Sequence, residues 1–192
     1  MNEYDLSTMF YENNKYFLGN YYFYNSNRRD PYSLRILDFK ERQLPAISYF
    51  QHAILQAFSQ LEDEFLEDAP FWYIVAMPSH TAGEPNAPCE DLGISLAQHF
   101  SWLYLLSGVL QRIETVPKAA TAAKENRPRP DVETHKRTIR YIGPQIRRED
   151  YGILLLDDIY TNGRMFDACY DIMNHATHCQ QLKGFFLAKT AK

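Results

Sequence analysis

The sequence predicts an open α/β sheet, mostly parallel and flanked by helices, and three observations support it. Gly152-Ile153-Leu154-Leu155-Leu156 is continuously apolar, as expected of a central parallel strand covered on both faces. A second apolar run, Phe71-Trp72-Tyr73-Ile74-Val75-Ala76-Met77, stops at Pro78. Around these runs apolar residues recur at three- and four-residue steps, so helices alternate with strands. The 192 residues suit one domain spanning 1–192, long enough to bury a full core.

From the N-terminus, residues 1–16 show no clear period and read as a surface-packed lead-in. Tyr21-Tyr22-Phe23-Tyr24 and Ser33-Leu34-Arg35-Ile36-Leu37-Asp38-Phe39 are β-prone runs around the turn-rich 25–31. They predict a small hairpin within an N-terminal region spanning 1–45. Ile47, Phe50, Ile54, Phe58 and Leu61 line one face of an amphipathic helix, and the acidic run after it reads as a solvated face. Leu92, Leu96, Phe100 and Leu103 mark a second helix, and 105–113 holds a short strand. Residues 117–150 are poor in apolar residues, rich in Lys and Arg, and broken by prolines at 117, 128, 130 and 144. They predict a flexible basic loop. The strand at 152–156 leads into Asp157-Asp158, a turn through Gly163, a helix carrying Phe166, Cys169, Tyr170 and Met173, and a last β-run, 182–188.

Composition narrows the function classes. A net charge of −4 argues against a general nucleic-acid binder and leaves a local basic patch open. No window approaches the roughly 18 uninterrupted apolar residues of a membrane span. Met1-Asn2-Glu3-Tyr4-Asp5 lacks the apolar core of a secretory signal, so a cytoplasmic location is expected. Cys89, Cys169 and Cys179 form no Cys-x-x-Cys and fit free thiols in a reducing compartment. Cys169, His175, His178 and Cys179 are metal-ligand types, but their spacing matches no zinc pattern, and a polar helix end is the plainer reading. No Gly-x-x-x-x-Gly-Lys-Ser/Thr and no Gly-x-Ser-x-Gly occurs, which disfavours a P-loop nucleotidase and an α/β-hydrolase.

The chemistry gathers at the end of the central strand. In open α/β sheets ligands bind outside the carboxyl ends of the strands. Adjacent carboxylates there accept hydrogen bonds from neighbouring sugar hydroxyls or organise a hydrated Mg²⁺. The turn then supplies Thr161, Asn162 and Gly163 and enters a helix N-terminus, whose amides and positive dipole end suit a phosphate. One strand–turn–helix unit thus offers a diol reader beside a phosphate reader. An acidic turn capping a core strand is the plainer alternative.

Ile153 through Gly163 resembles the phosphoribosyl-diphosphate (PRPP) signature of type I phosphoribosyltransferases: an apolar run, two acids, two spacers and a hydroxyl-bearing turn with glycine. The strand at 71–77 followed by Pro78-Ser79-His80-Thr81 resembles that family's pyrophosphate loop, and 117–150 lies where its members carry a flexible hood. The early hairpin, helix and hood are similar to the competence-associated ComF-like branch, without its zinc-binding N-terminus. The resemblance implies that Asp157 and Asp158 hold the ribose hydroxyls, that Thr161, Asn162, Gly163 and Arg164 bind the 5′-phosphate, and that Pro78, Ser79, His80 and Thr81 contact pyrophosphate. It further implies that Arg137 and Arg140 of the hood close over the leaving group. Mg²⁺ would come with PRPP and touch the protein, if at all, through Asp157 or Asp158. The implied partners are PRPP and an acceptor, a nucleobase or other nitrogen nucleophile, with a homodimer open and single-stranded nucleic acid a weaker option.

Three positions depart from the signature. Asn162 replaces a hydroxyl residue, Arg164 stands where a small residue is usual, and Met165 replaces a Thr or Ser and so removes one phosphate bond. The pyrophosphate loop also lacks a Lys or Arg close to Pro78. These departures keep two functions in view: a PRPP-dependent phosphoribosyl transfer, and a PRPP- or nucleotide-sensing or DNA-uptake or defence accessory protein that has lost turnover.

Overall fold

The computed structural model of the chain describes residues 8–22, 30–117, 128–146 and 150–191. The chain opens with a tight hairpin, β1 (Phe10–Glu12) and β2 (Lys15–Phe17), in the stretch the sequence marks only as a lead-in. Asn13 and Asn14 sit at φ 48° and 61°, the left-handed pair that a two-residue hairpin turn requires and that Asn tolerates. A two-residue strand, β3 (Asn20–Tyr21), follows.

The predicted strand at 33–39 is a helix, α1 (Pro31–Lys40). Its start signal outweighs the β-prone composition. Asp30 accepts from Ser33 N at 2.9 Å and from Ser33 Oγ at 2.7 Å, and Pro31 occupies the first turn, where its missing N–H costs nothing. Ser33, Ile36 and Phe39 then fall on one buried face at helical spacing. Helix α2 (Leu44–Asp68) carries the predicted apolar face and runs on through the acidic stretch. That stretch is not merely solvated. Lys183 Nζ lies 2.5 Å from Asp68 Oδ2 and 3.5 Å from Glu64 Oε1, and Trp102 Nε1 donates to Glu62 at 2.8 Å. A buried ammonium demands such counter-charge.

Strand β4 (Trp72–Ala76), helix α3 (Ala87–His99) and strand β5 (Leu103–Leu105) form a parallel crossover unit. Next come β6 (Leu110–Arg112), α4 (Val132–Thr138) and β7 (Ile139–Tyr141), with β6 and β7 paired antiparallel. The basic segment therefore holds a helix and a strand where the sequence predicts a loop. The prolines fall outside both elements, and Asp131 caps α4 by accepting from Thr134 N at 2.8 Å. Its remaining parts, 118–127 and 147–149, lie outside the described residues. Strand β8 (Gly152–Tyr160), helix α5 (Arg164–Thr177) and strand β9 (Gln181–Thr190) complete the chain.

The main sheet has the order β1-β2-β9-β8-β4-β5, with β3 also pairing β9. Every pairing is parallel except β1 with β2. Both faces are covered. Trp72, Ile74, Leu154, Leu156, Phe185 and Leu187 pack against α1, α2 and α3. On the other face Val75, Ile153, Leu155 and Phe186 pack against α5 and the β6–β7 hairpin. This double burial is why β8 reads as an unbroken apolar run.

From β4 the chain winds outward through α3 to β5, then returns to lay β8 on the opposite flank of β4. The winding thus reverses between β4 and β8. Strand β4 ends level with Leu156, and β8 runs on along β9 to Tyr160, so the loop after β4 leaves the sheet at the level of Asp157 and Asp158, at the crevice where open α/β sheets hold ligands.

Candidate functional site

Asp157 and Asp158 sit in β8 at the reversal point. Neither carboxylate is freely solvated: Asp157 is 6% exposed and the Asp158 side chain 13%. Asp157 Oδ1 accepts from Asn86 Nδ2 at 3.1 Å. Asn86 is the N-cap residue of α3, and its side chain makes no capping bond there. Asp158 Oδ1 pairs with Lys40 Nζ at 2.9 Å and also accepts from Ile159 N at 2.6 Å. Lys40 is the last residue of α1, so the helix that replaces the predicted strand delivers a cation to the acid pair.

The electrostatics follow from this arrangement. Burial, and then the neighbouring charge of Asp158, push Asp157 up to about 8, with Lys40 and Asn86 working against the rise. Burial works to lower Lys40, and the charge and hydrogen bond of Asp158 outweigh it, leaving the ammonium above its ordinary value. Asp157 thus holds its proton more tightly than an ordinary carboxyl and can donate when protonated, beside an Asp158 that is ion-paired with Lys40. Such a set suits neutral hydroxyl groups. Asp157 or Asp158 would be the residue to hold a Mg²⁺ ion here, and the Lys40 pairing of Asp158 leaves the set little charge to spare for one.

After β8 the chain turns sharply. Gly163 adopts φ 80° as the N-cap of α5, and Asn162 Oδ1 accepts from Arg164 N at 3.3 Å. Thr161 and Asn162 are exposed. Arg164 Nη1 donates to the carbonyls of Arg129 and Pro130 at 3.3 and 3.4 Å, tying the segment before α4 to this turn. Met165 turns the other way, and its Sδ accepts from Arg112 Nη2 at 3.4 Å.

Across the reversal point, Pro78 is buried, while Ser79, His80 and Thr81 are half-buried in the loop after β4. Ser79 Oγ bonds within the loop to the carbonyls of Thr81 and Glu84, at 3.2 and 3.0 Å, and accepts from Thr81 N at 3.1 Å. His80 Nε2 meets Thr81 Oγ1 at 3.2 Å. The loop is laced to β6 and its extension: Gly83 N donates to Arg112 O at 2.9 Å, Val116 N to His80 O at 2.9 Å, and Ala82 N to Thr115 Oγ1 at 3.0 Å. Arg137 and Arg140 are exposed, and Arg137 pairs with Glu114 at 3.5 Å.

A cavity of about 760 Å³ opens on the far side of the turn. Thr161 lines it together with Phe10, Asn20, Tyr22, Arg129 and Lys189. The acid pair does not line it. Lys189 is ion-paired with Glu12 at its edge.

The structure thus brings the acid pair, the turn 161–163 and the loop 78–81 to one region of the sheet, with the acid pair inside β8, just past the last residue paired with β4, rather than at the end of the strand as the sequence predicts. Asn86, Lys40 and Arg112 join them without having been singled out in sequence. An Asn ahead of an Ala-Pro helix start was one available signal; Lys40 was hidden when 33–39 read as a strand. The mixed cysteine–histidine group does not assemble: Cys169 is fully buried, His175 Nδ1 meets Asp171 O at 2.7 Å, and among the described residues no cluster of three or more candidate metal ligands occurs. No helix among the described residues is long and apolar enough to cross a membrane. No protein-family model matches the chain, and no curated protein matches it significantly.

Proposed function

We propose that the chain binds phosphoribosyl diphosphate at the reversal point between β4 and β8 and transfers its phosphoribosyl group to a nitrogen nucleophile. One observation carries the reading: the acid pair lies beside the loop after β4 and ahead of a turn that opens a helix N-terminus, which places groups suited to a diol next to one suited to a phosphate. Asp157 and Asp158 take the ribose hydroxyls, Thr161, Asn162, Gly163 and Arg164 the 5′-phosphate, and residues 78–81 the diphosphate. Mg²⁺ bound to the diphosphate would supply charge neutralisation at the leaving group.

In such a transfer the bond from C1′ to the diphosphate oxygen breaks and its electron pair leaves with pyrophosphate. The nitrogen lone pair forms the new bond to C1′, and the nitrogen then loses its proton. The protein's part is positioning, charge stabilisation and exclusion of water. A nucleophile must approach C1′ from the side opposite the leaving group. The loop 78–81 follows β4 on one flank of β8, and the cavity beside Thr161 lies toward β9 on the other. Its volume of about 760 Å³ is in the range of small-molecule sites.

Titration with Mg·PRPP tests the binding. The wild-type chain is expected to bind and Asp158→Asn to bind about ten- to a hundredfold more weakly with its fold intact, the loss of a charge-assisted hydrogen bond being about 1.5–3 kcal/mol. An unchanged dissociation constant in that variant removes the assignment. A second reading, a PRPP or nucleotide sensor without turnover, draws on the Lys40–Asp158 ion pair, which already occupies one of the carboxylates. Pyrophosphate release with Mg·PRPP and a panel of nucleobases separates the two: binding without release under any acceptor favours the sensor.

A further inference from the structure

Arg112 touches both the loop after β4 and the first turn of α5, directly behind the turn 161–163. It lies on β6 and is 2% exposed. Its Nε donates to Ser79 O at 2.9 Å in the loop after β4, and its Nη2 to Met165 Sδ at 3.4 Å in the first turn of α5. Its Nη1 donates to Thr138 Oγ1 at 2.7 Å, and that hydroxyl in turn donates to Thr134 O at 2.7 Å. Through its own carbonyl Arg112 also accepts from Gly83 N at 2.9 Å. Among the described residues no carboxylate is ion-paired with it, and its side-chain partners are a carbonyl, a hydroxyl and a thioether.

A buried guanidinium without a counter-charge is costly, and buried charges are normally paired. Among the described residues the surroundings add no ion-paired anion. His135 packs close by, 9% exposed, with Nδ1 lacking a hydrogen-bond partner. Burial and then the charge of Arg112 push it down to about 4, so the imidazole is neutral near pH 7. The positive charge held behind the two loops is therefore Arg112's own. The position of Met165 gains a purpose as well: where a hydroxyl residue would face the phosphate, this side chain faces inward and gives the guanidinium a soft acceptor.

We infer that Arg112 is a positioning residue that fastens the loop 79–84 to the start of α5, so that the two anion-binding loops act as one coupled site for a ligand carrying two separate phosphate groups. The inference rests on the reading proposed above and deepens it. Arg112 supplies the positive charge that the loop after Pro78 lacks in its own sequence, and it acts through the backbone it holds. An anion on one loop stiffens the other, which lowers the ordering cost of the second anion.

The test uses the full chain with inorganic pyrophosphate and ribose 5-phosphate as separate probes, followed by calorimetry. In the wild type, saturating ribose 5-phosphate is expected to tighten pyrophosphate binding by about fivefold or more. Arg112→Lys, which keeps the charge and loses the planar fork, should reduce that coupling to within about twofold while circular dichroism stays unchanged. Arg112→Met should abolish it and weaken pyrophosphate itself about tenfold. A folded variant that keeps the wild-type coupling overturns the inference. Should both variants fail to fold, amide exchange on the wild type decides: pyrophosphate alone should slow exchange in 79–84 and also in 164–166. Slowing confined to 79–84 overturns the inference. Binding of both probes with no coupling sinks this inference alone, whereas ribose 5-phosphate binding that ignores Asp158→Asn, or binding of neither probe, sinks the proposed function with it.

Discussion

Two buried side chains bear on the pH response near neutrality. In the unfolded chain Asp157 loses its proton near 3.8, and in the fold burial and Asp158 hold that proton up to about 8. Between those values the folded state binds the extra proton, so raising the pH favours unfolding. His135 runs the opposite way. Burial and Arg112 lower it from 6.5 to about 4, so its contribution is present above pH 6.5 and is lost as pH falls toward 4. The two oppose each other below pH 6.5, and of the two only Asp157 acts between about pH 6.5 and 8. Thermal melts should therefore show the wild-type midpoint falling between about pH 6.5 and 8, and Asp157→Asn should flatten the fall, each kcal/mol being worth about 2–4 °C in a chain of this size. A wild-type profile that rises through that window contradicts the placement of Asp157. The same residues show why local reading found only part of the site. Asp157, Asp158 and the turn to Gly163 are contiguous, so their chemistry is legible in the sequence. Asn86 reaches Asp157 from 71 positions away, and Arg112 reaches Met165 from 53.

Elements were legible where one period dominated. The apolar run of β8 and the three- and four-residue spacing of α2 admit a single reading, and the structure has both. Residues 33–39 admit two, because Leu34, Ile36, Leu37 and Phe39 fit either an alternating strand or a helical face. The flanking chemistry decided it: Asp30 and Pro31 are helix-start residues, and Ser33 Oγ also accepts from Tyr22 N at 2.9 Å, so one hydroxyl joins the helix to the preceding strand segment. Asp30→Ala should cost about 1 kcal/mol, measured as a lower urea midpoint at unchanged slope. Because α1 ends in Lys40, its fraying would reach the acid pair as well as the helix. The hairpin at 10–17 went unread for a different reason: its two-residue turn is Asn-Asn, a weaker signal than Asn-Gly, and its strands have three residues each.

At the scale of the whole molecule, the site draws on α1, the loop after β4, the start of α3, β6 and the turn after β8, which are distant in sequence and anchored on both faces of one sheet. A ligand that spans them should stabilise the fold globally. At about 100 times its dissociation constant, Mg·PRPP is expected to add about 2.7 kcal/mol, read as a rise of several degrees in the melting midpoint. Asp158→Asn should show a smaller rise at the same ligand concentration, and equal rises in both proteins count against the assignment. The borders of the sheet have a consequence of their own. Among the described residues it ends on β1 at one side and on β5 at the other, each only three residues long. Strands so short give a neighbouring molecule little to zip onto, which guards a sheet with this much apolar surface against fibrillar stacking. Pairs of chains, where they form, should join through helices or loops and leave both margins of the sheet uncovered.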